Sequence, residues 1–422
     1  MRSDTLRPAA FSAAIAFLAL SLASCSPTMT APPDISPPNT SPPKTARPLS
    51  FTTVSAGTHL TCGVTTTGAA YCWGTNTSGA LGNGTVDGAS TVPVPVSGTL
   101  IFAMVTSGEL HACGVTTAGT AYCWGGDFGG DLGNGMIATL DCLSCGESNT
   151  PMLVSGGLTF ATVTAEGPHT CGVTTQRQAY CWGDNSYGEA GNNPADSSIT
   201  TPMPVSGGLA FAQLSAGYRH TCGVAAGGVA YCWGANFSGQ LGNDDTTNSS
   251  IPVMVSGGLT FVSVSDGFDH TCGVTTSGAA YCWGLNIASE LGDGTTTGPQ
   301  QCETYPCSTT PSAVAGGLTF ATVSAGAGGF HSCGVTTSGA AYCWGDNELG
   351  ELGNGTTTSS ATPVAVSGGL TFRMVSTGYR HTCGVTTDNV AYCWGDNGEG
   401  ELGIGTGMDA WSPTPVLGPQ VP

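Results

Sequence analysis

From residue 51 onward the chain is written in short apolar or β-branched runs broken by turn residues. In its last stretch, FRMVSTG, HTCGVTT, NVAYCWG and PTPVLG each have the length and composition of a strand, and Gly, Asn, Asp and Thr separate them. The same four-run pattern returns at intervals of about fifty residues. The unit FATVSAGxxHTCGVTTSGAAYCWGDNxxGELGNGTTTxxxPVxVSGGL recurs seven times, led by Phe51, Phe102, Phe160, Phe211, Phe261, Phe320 and Phe372. Four strands per period predict an all-β, seven-bladed β-propeller with four-stranded antiparallel blades, closed into a ring that protects its sheet edges. The repeat leaves open which strand closes that ring.

The cysteines sharpen this picture. Among the 19 are seven pairs with one spacing: Cys62 and Cys72, Cys113 and Cys123, Cys171 and Cys181, Cys222 and Cys232, Cys272 and Cys282, Cys333 and Cys343, Cys383 and Cys393. Between partners lies a three-residue loop such as Thr66-Thr67-Gly68, suited to a type I turn with a left-handed bulge residue. That register sets the two cysteines opposite each other at about 4.5 to 5.5 Å, within disulfide reach, and predicts one intra-blade disulfide per repeat. Cys142 with Cys145 and Cys302 with Cys307 are expected to pair within two inserts; Cys142-x-x-Cys145 also has zinc-ligand spacing, but no second Cys or His pair accompanies it. Cys25 is left over, as an oxidised, lipid-modified export requires.

The N-terminus fits that bookkeeping. Residues 1–24 read as a secretory leader, with Arg2 and Arg7 before a short apolar run, ending in Leu22-Ala23-Ser24-Cys25, which resembles a bacterial lipobox. Lipidation at Cys25, a Pro-rich linker over 25–50 and a propeller over 51–422 are the expected divisions. They place the protein at the cell envelope, on the outer membrane or cell surface, or in the medium. Membrane contact is then through the lipid alone.

The formal net charge is −19, and beyond residue 50 there is no Lys and the only arginines are Arg177, Arg219, Arg373 and Arg380. Such a domain repels phosphate backbones and anionic headgroups, which excludes nucleic acid as a direct ligand.

The segments SAGYRHTCGV, AYCWGDN, GELGNGT and SPTPV resemble the repeat of the regulator of chromosome condensation family, over Phe51 to about Leu417. The resemblance implies a seven-bladed propeller and much less about activity, since members include nucleotide exchange factors, light sensors and enzyme inhibitors. A chromatin-bound exchange factor is a poor guide to an acidic, exported chain. Secreted bacterial members that inhibit β-lactamases with one face of the ring are closer in setting, though no interface residue can be matched.

Repeated residues that look chemical read as structure. His111, His169, His220, His270, His331 and His381 precede the first Cys of a pair by two, with Leu60 in that place in the first copy and His59 before it. They are expected to hydrogen-bond backbone between neighbouring blades. The once-per-copy tryptophans, Trp73 to Trp394, alternate with Cys and are expected to pack between blades. Trp411 is the extra one, read as lying in the last copy's loop. The acidic turns, such as Asp184-Asn185 and Asp396-Asn397, lack the ligand order of an EF-hand loop, leaving calcium open. No nucleophile or acid/base constellation is present in the pattern, so no cofactor, metal or catalytic residue is expected.

If strands A to D run up and down, the A–B and C–D loops share one face and the B–C and D–A loops the other. The second face is monotonous, TTSG and SGGL. The first carries the variation: Glu109, Tyr218, Arg219, Phe268, Asp269, Phe330, Tyr379 and Arg380 in A–B loops, Phe128, Tyr187, Phe237 and Ile287 in C–D loops, and both inserts. Tyr, Phe and Arg are enriched at interface hot spots. The sequence thus predicts a monomeric, non-catalytic scaffold that binds an extracellular or envelope protein through Phe128, Tyr187, Tyr218, Arg219, Phe237, Phe268, Phe330, Tyr379 and Arg380, with inhibition of an extracellular enzyme as one form of that role. A glycan- or cell-wall-binding lectin is the alternative, and exchange-factor activity is a third that only the resemblance suggests.

Overall fold

The computed structural model describes residues 49–418, apart from 87, 138–145, 193–195 and 327. Cys25, the expected lipidation site, and the pair Cys142 and Cys145 lie outside the described residues. Each repeat folds into its own sheet with its strands in sequence order and antiparallel, giving seven blades. The first consists of Phe51–Ala56, Leu60–Thr65, Ala70–Gly74 and Ser90–Pro95 (strands A to D). In the seventh, strand D is Ala410–Pro415, three residues ahead of the expected PTPVLG, because Ala410 already pairs with Gly395. Trp411 is therefore in a strand, not a loop.

The A strands gather about the axis, where Thr53, Met104, Thr162, Gln213 and Met374 border a common cavity of about 290 Å³. The B strands are wholly buried, and the D strands form the half-exposed rim. No strand is exchanged to close the ring among the described residues: blades one and seven each use one repeat. The seam is held by Arg373 Nη2 donating to the Phe51 carbonyl at 2.6 Å and Ala56 N donating to Ser376 Oγ at 3.0 Å.

Cys62 lies opposite Cys72, and every repeat places its pair in the same register. The seven repeat disulfides form with Cα atoms 4.0 to 4.1 Å apart, closer than the spacing first expected. Each closes a short loop, for roughly 2 to 3 kcal/mol in chain entropy. The sulfurs face the next blade, where those of Cys62 and Cys72 pack with Phe102, Val105 and Trp124.

On the opposite sheet face each Trp is fully buried and stacks at a tilt on its own blade's leading Phe, 5.7 to 5.9 Å between ring centres. The indole N–H crosses to the preceding blade. It donates there to one backbone carbonyl of the GELG segment, at 2.7 Å from Trp73 to Glu401 and 3.0 Å from Trp124 to Ala80. Gly133, at φ 62°, lies so close to Trp182 that a Cβ would come within 2.7 Å of its Nε1. That position must be glycine for both reasons.

Candidate functional site

The A–B and C–D loops emerge together, as the antiparallel order requires, and each C–D loop has a fixed half and a variable half. The fixed half is a staple: Asn76 Oδ1 accepts from Leu81 N at 3.1 Å, and Asp127, Asn185, Asn236, Asn286, Asn347 and Asn397 repeat the bond five residues on. These turn oxygens are spent on backbone N–H groups. Asp184 and Asp396 likewise cap Ser186 N at 3.2 Å and Gly398 N at 3.1 Å.

Beneath the loops the histidines depart from expectation in one respect. Each is buried and bonds a side-chain hydroxyl of the next blade, not backbone. Nε2 of His111 meets Thr170 Oγ1 at 2.9 Å, and the series runs through His169 with Thr221, His220 with Thr271, His270 with Ser332, His331 with Thr382 and His381 with Thr61. The hydroxyl in turn donates to the carbonyl that receives the indole, as Thr170 does to Asp131 at 3.0 Å. That donation makes the imidazole the donor to the hydroxyl. Burial lowers these rings to about 3 or 4, so they stay neutral. Where the first copy has Leu60, the second has Ala112 instead of Thr, and the two join one apolar cluster. His220, Cys222 and Asp266 come within 4.8 Å of one another, but Cys222 is in a disulfide and offers no thiolate to a metal.

Above this layer the structure brings most of the predicted face residues into two groups. Blades three to six supply a strip in which Tyr187 meets Phe237 at 5.3 Å, Tyr218 meets Phe268 at 4.7 Å, and Phe268 meets Phe330 at 5.7 Å. The Arg219 guanidinium lies 5.1 Å from the Tyr218 ring centre and 5.7 Å from those of Tyr187 and Phe268. At the seam of blades seven and one, Arg380 lies 5.4 Å from the Tyr379 ring, which His59 meets edge-on at 5.7 Å. Phe128 is half-exposed, and no ring contact among the described residues joins it to either group.

Carboxyls lie under the rings. Burial pushes Glu189 up to about 7 and Asp269 up to about 6, against the pull of Arg219. Asp269 accepts from Gln240 Nε2 at 2.9 Å. Burial also raises Glu109, whose charge is felt by Tyr218 and which senses His59.

Two contributors escaped the sequence, Glu303 and Tyr305. The fifth-blade insert folds as a hairpin of Gln300–Cys302 and Tyr305–Ala313, making a five-stranded sheet closed by the Cys302–Cys307 disulfide. Its turn brings both residues to a pocket of about 290 Å³ beside Phe237, Phe268 and Phe330. The signal was the Cys302–Cys307 spacing, which marks a tight hairpin but not its direction.

Two profiles of one family match the chain. Both are described as the Regulator of chromosome condensation (RCC1) repeat, one over residues 67–115, 227–274 and 338–385, the other over 51–80, 169–189, 211–240, 322–351 and 374–401. The ultraviolet-B receptor UVR8 of Arabidopsis thaliana is 29% identical over 186 residues, 43% of this chain and 40% of the receptor. The human E3 ubiquitin-protein ligase HERC2 is 28% identical over 331 residues, 76% of this chain but 6% of the ligase. The chain thus spans well under two thirds of these relatives. Human WBSCR16 superposes with a TM-score of 0.71 at 19% identity, covering 83% of this chain and 95% of that one. Prp20p of Saccharomyces cerevisiae, whose structure was described with its binding to Gsp1p and histones, gives 0.68 at 19% identity over 87% of each chain. With the repeat profiles spread along the seven blades, the chain belongs to the regulator of chromosome condensation (RCC1) repeat family.

Proposed function

We propose that this propeller is a non-catalytic scaffold, exported and lipid-anchored at Cys25, that binds an envelope or extracellular protein through its A–B and C–D loops. The observation that carries this reading is the strip from Tyr187 to Phe330: five aromatic rings and one guanidinium, contributed by four successive blades and in mutual contact on one face. Aromatic and Arg side chains with little rotamer freedom left to lose are what protein hot spots are made of. Relatives of this fold bind proteins: the Prp20p structures were described with Gsp1p, histones and Kap60. Inhibition of an extracellular enzyme is one form that this binding would take.

Replacing Tyr218, Phe268 and Tyr379 together with Ser tests the reading. Affinity capture from envelope and medium fractions, compared with wild type and with a Gln176→Ser control on the opposite face, should lose the retained protein at least tenfold. Unchanged retention overturns it, and retention of glycan alone replaces it with the lectin reading.

A further inference from the structure

Three blade junctions share a charge pattern. Glu189, Glu351 and Glu401 occupy the same place in the GELG segment, and each is buried. The following blade supplies a basic side chain from the end of its A–B loop: Arg219 acts on Glu189, Arg380 on Glu351, and His59 Nδ1 lies 3.6 Å from Glu401 Oε1, which raises the imidazole above its ordinary value. Each of these basic groups also rests against an aromatic ring, Arg219 on Tyr187 and Tyr218, Arg380 and His59 on Tyr379.

The junction of blades five and six departs from it. Glu290 has the same position and is fully buried, and its Oε1, like those of Glu189 and Glu351, has no hydrogen-bond partner among the described residues. The residue that should supply the cation is Phe330. At this junction, and with the added wall of the insert hairpin, lies the 290 Å³ pocket lined by the rings of Phe237, Phe268, Tyr305 and Phe330 and by the carboxyls of Asp269 and Glu303. None of its lining residues is basic. The charge of Asp269 reaches Glu290, which burial raises to about 8.

We propose that this pocket is a subsite for an arginine side chain of the partner protein, which completes from outside the cation–aromatic–carboxyl pattern that three other junctions complete from within. The inference rests on the reading of this face as a protein-binding surface. Arginine is favoured over lysine because a planar guanidinium stacks on rings and forks onto carboxylates, as Arg219 already stacks beside Phe268 in the same strip. The acidic chain, at −19, draws basic partners toward it.

The test uses N-acetyl-arginine methylamide and the uncharged N-acetyl-norleucine methylamide as probes in saturation-transfer NMR on the intact propeller. The arginine probe should bind at least tenfold more tightly than the norleucine probe, and Asp269→Asn with Glu303→Gln should remove that preference. Tyr305→Ser, at a half-exposed hairpin position, should weaken arginine binding severalfold without lowering Tm. Equal binding of the two probes, or a preference that survives the carboxyl substitutions, overturns the proposal. Running partner capture alongside separates the two readings: capture that persists while the arginine preference is missing removes the subsite and keeps the face, whereas arginine binding that persists without capture keeps the subsite and removes the face.

Discussion

The two faces of this ring are built on the same strands and differ in how far each loop is committed to holding the fold. On the B–C and D–A face, the B–C turns are short, such as Thr65 to Gly68, closed by Gly68 N donating to the Thr65 carbonyl at 2.9 Å. On the A–B and C–D face the staples, the indole acceptors and the histidine layer lie below, and the rings of Tyr187, Phe237, Phe268 and Phe330 lie above. Variation is therefore confined to tips that the fold does not need. Loop tips on that face can change without disturbing the staples and the histidine layer beneath them.

The largest effect should come from attacking the fixed half of a loop on the variable face. Gly133→Ala adds a Cβ at 2.7 Å from the Trp182 indole nitrogen in a left-handed backbone position. Left-handed strain and overpacking together should lower stability by about 2 to 4 kcal/mol in denaturant titration. Phe128→Ser in the same loop should change it by less than about 0.5 kcal/mol. Equal costs at the two sites would mean that the loop is not divided as described.

The histidine layer offers a subtler division. Thr170→Ala leaves a buried imidazole N–H without an acceptor and should cost about 1 to 3 kcal/mol. Adding His111→Leu copies the native Leu60 and Ala112 junction and should recover most of the loss, because both polar partners are then gone. A double variant as unstable as the single one would show that the layer is not modular, and that the support beneath the face is specific to each blade.

The fold was legible because every blade repeats the same constraint: Cys opposite Cys, Trp on the other sheet face, Gly where a turn must bend. The histidine partner was not, since the period within one repeat cannot reveal which residue of the next blade it meets; only the joint change at Leu60 and Ala112 carries that information. The face residues were legible as departures from the repeat. Their grouping was less so, because contacts such as Tyr187 with Phe237 and Tyr218 with Phe268 depend on the spacing between blades. Glu303 and Tyr305 were hidden because an insert has no internal copy to align with, and its direction is set by Cys302 pairing with Tyr305 across the hairpin.

Two blades of the uniform face lack glycine at the turn, and one of them sets the smallest test of the contrast. Arg177 occupies the place of Gly68 in the third blade, at φ 64°, and Asn389 occupies it in the seventh at φ 69°. Asn tolerates the left-handed region, whereas Arg there carries backbone strain of about 1 kcal/mol. The hydrogen bonds of the turn, Arg177 N to the Thr174 carbonyl at 2.8 Å and Phe211 N to the Arg177 carbonyl at 2.9 Å, use backbone alone and survive substitution. Arg177→Gly should therefore raise stability by about 0.5 to 1 kcal/mol, offset in part by the entropy glycine adds to the unfolded chain, and partner capture should not change. Lost capture on this substitution would move recognition to the monotonous face, because the turn itself gains from the exchange and only an interaction made by the guanidinium could explain the loss.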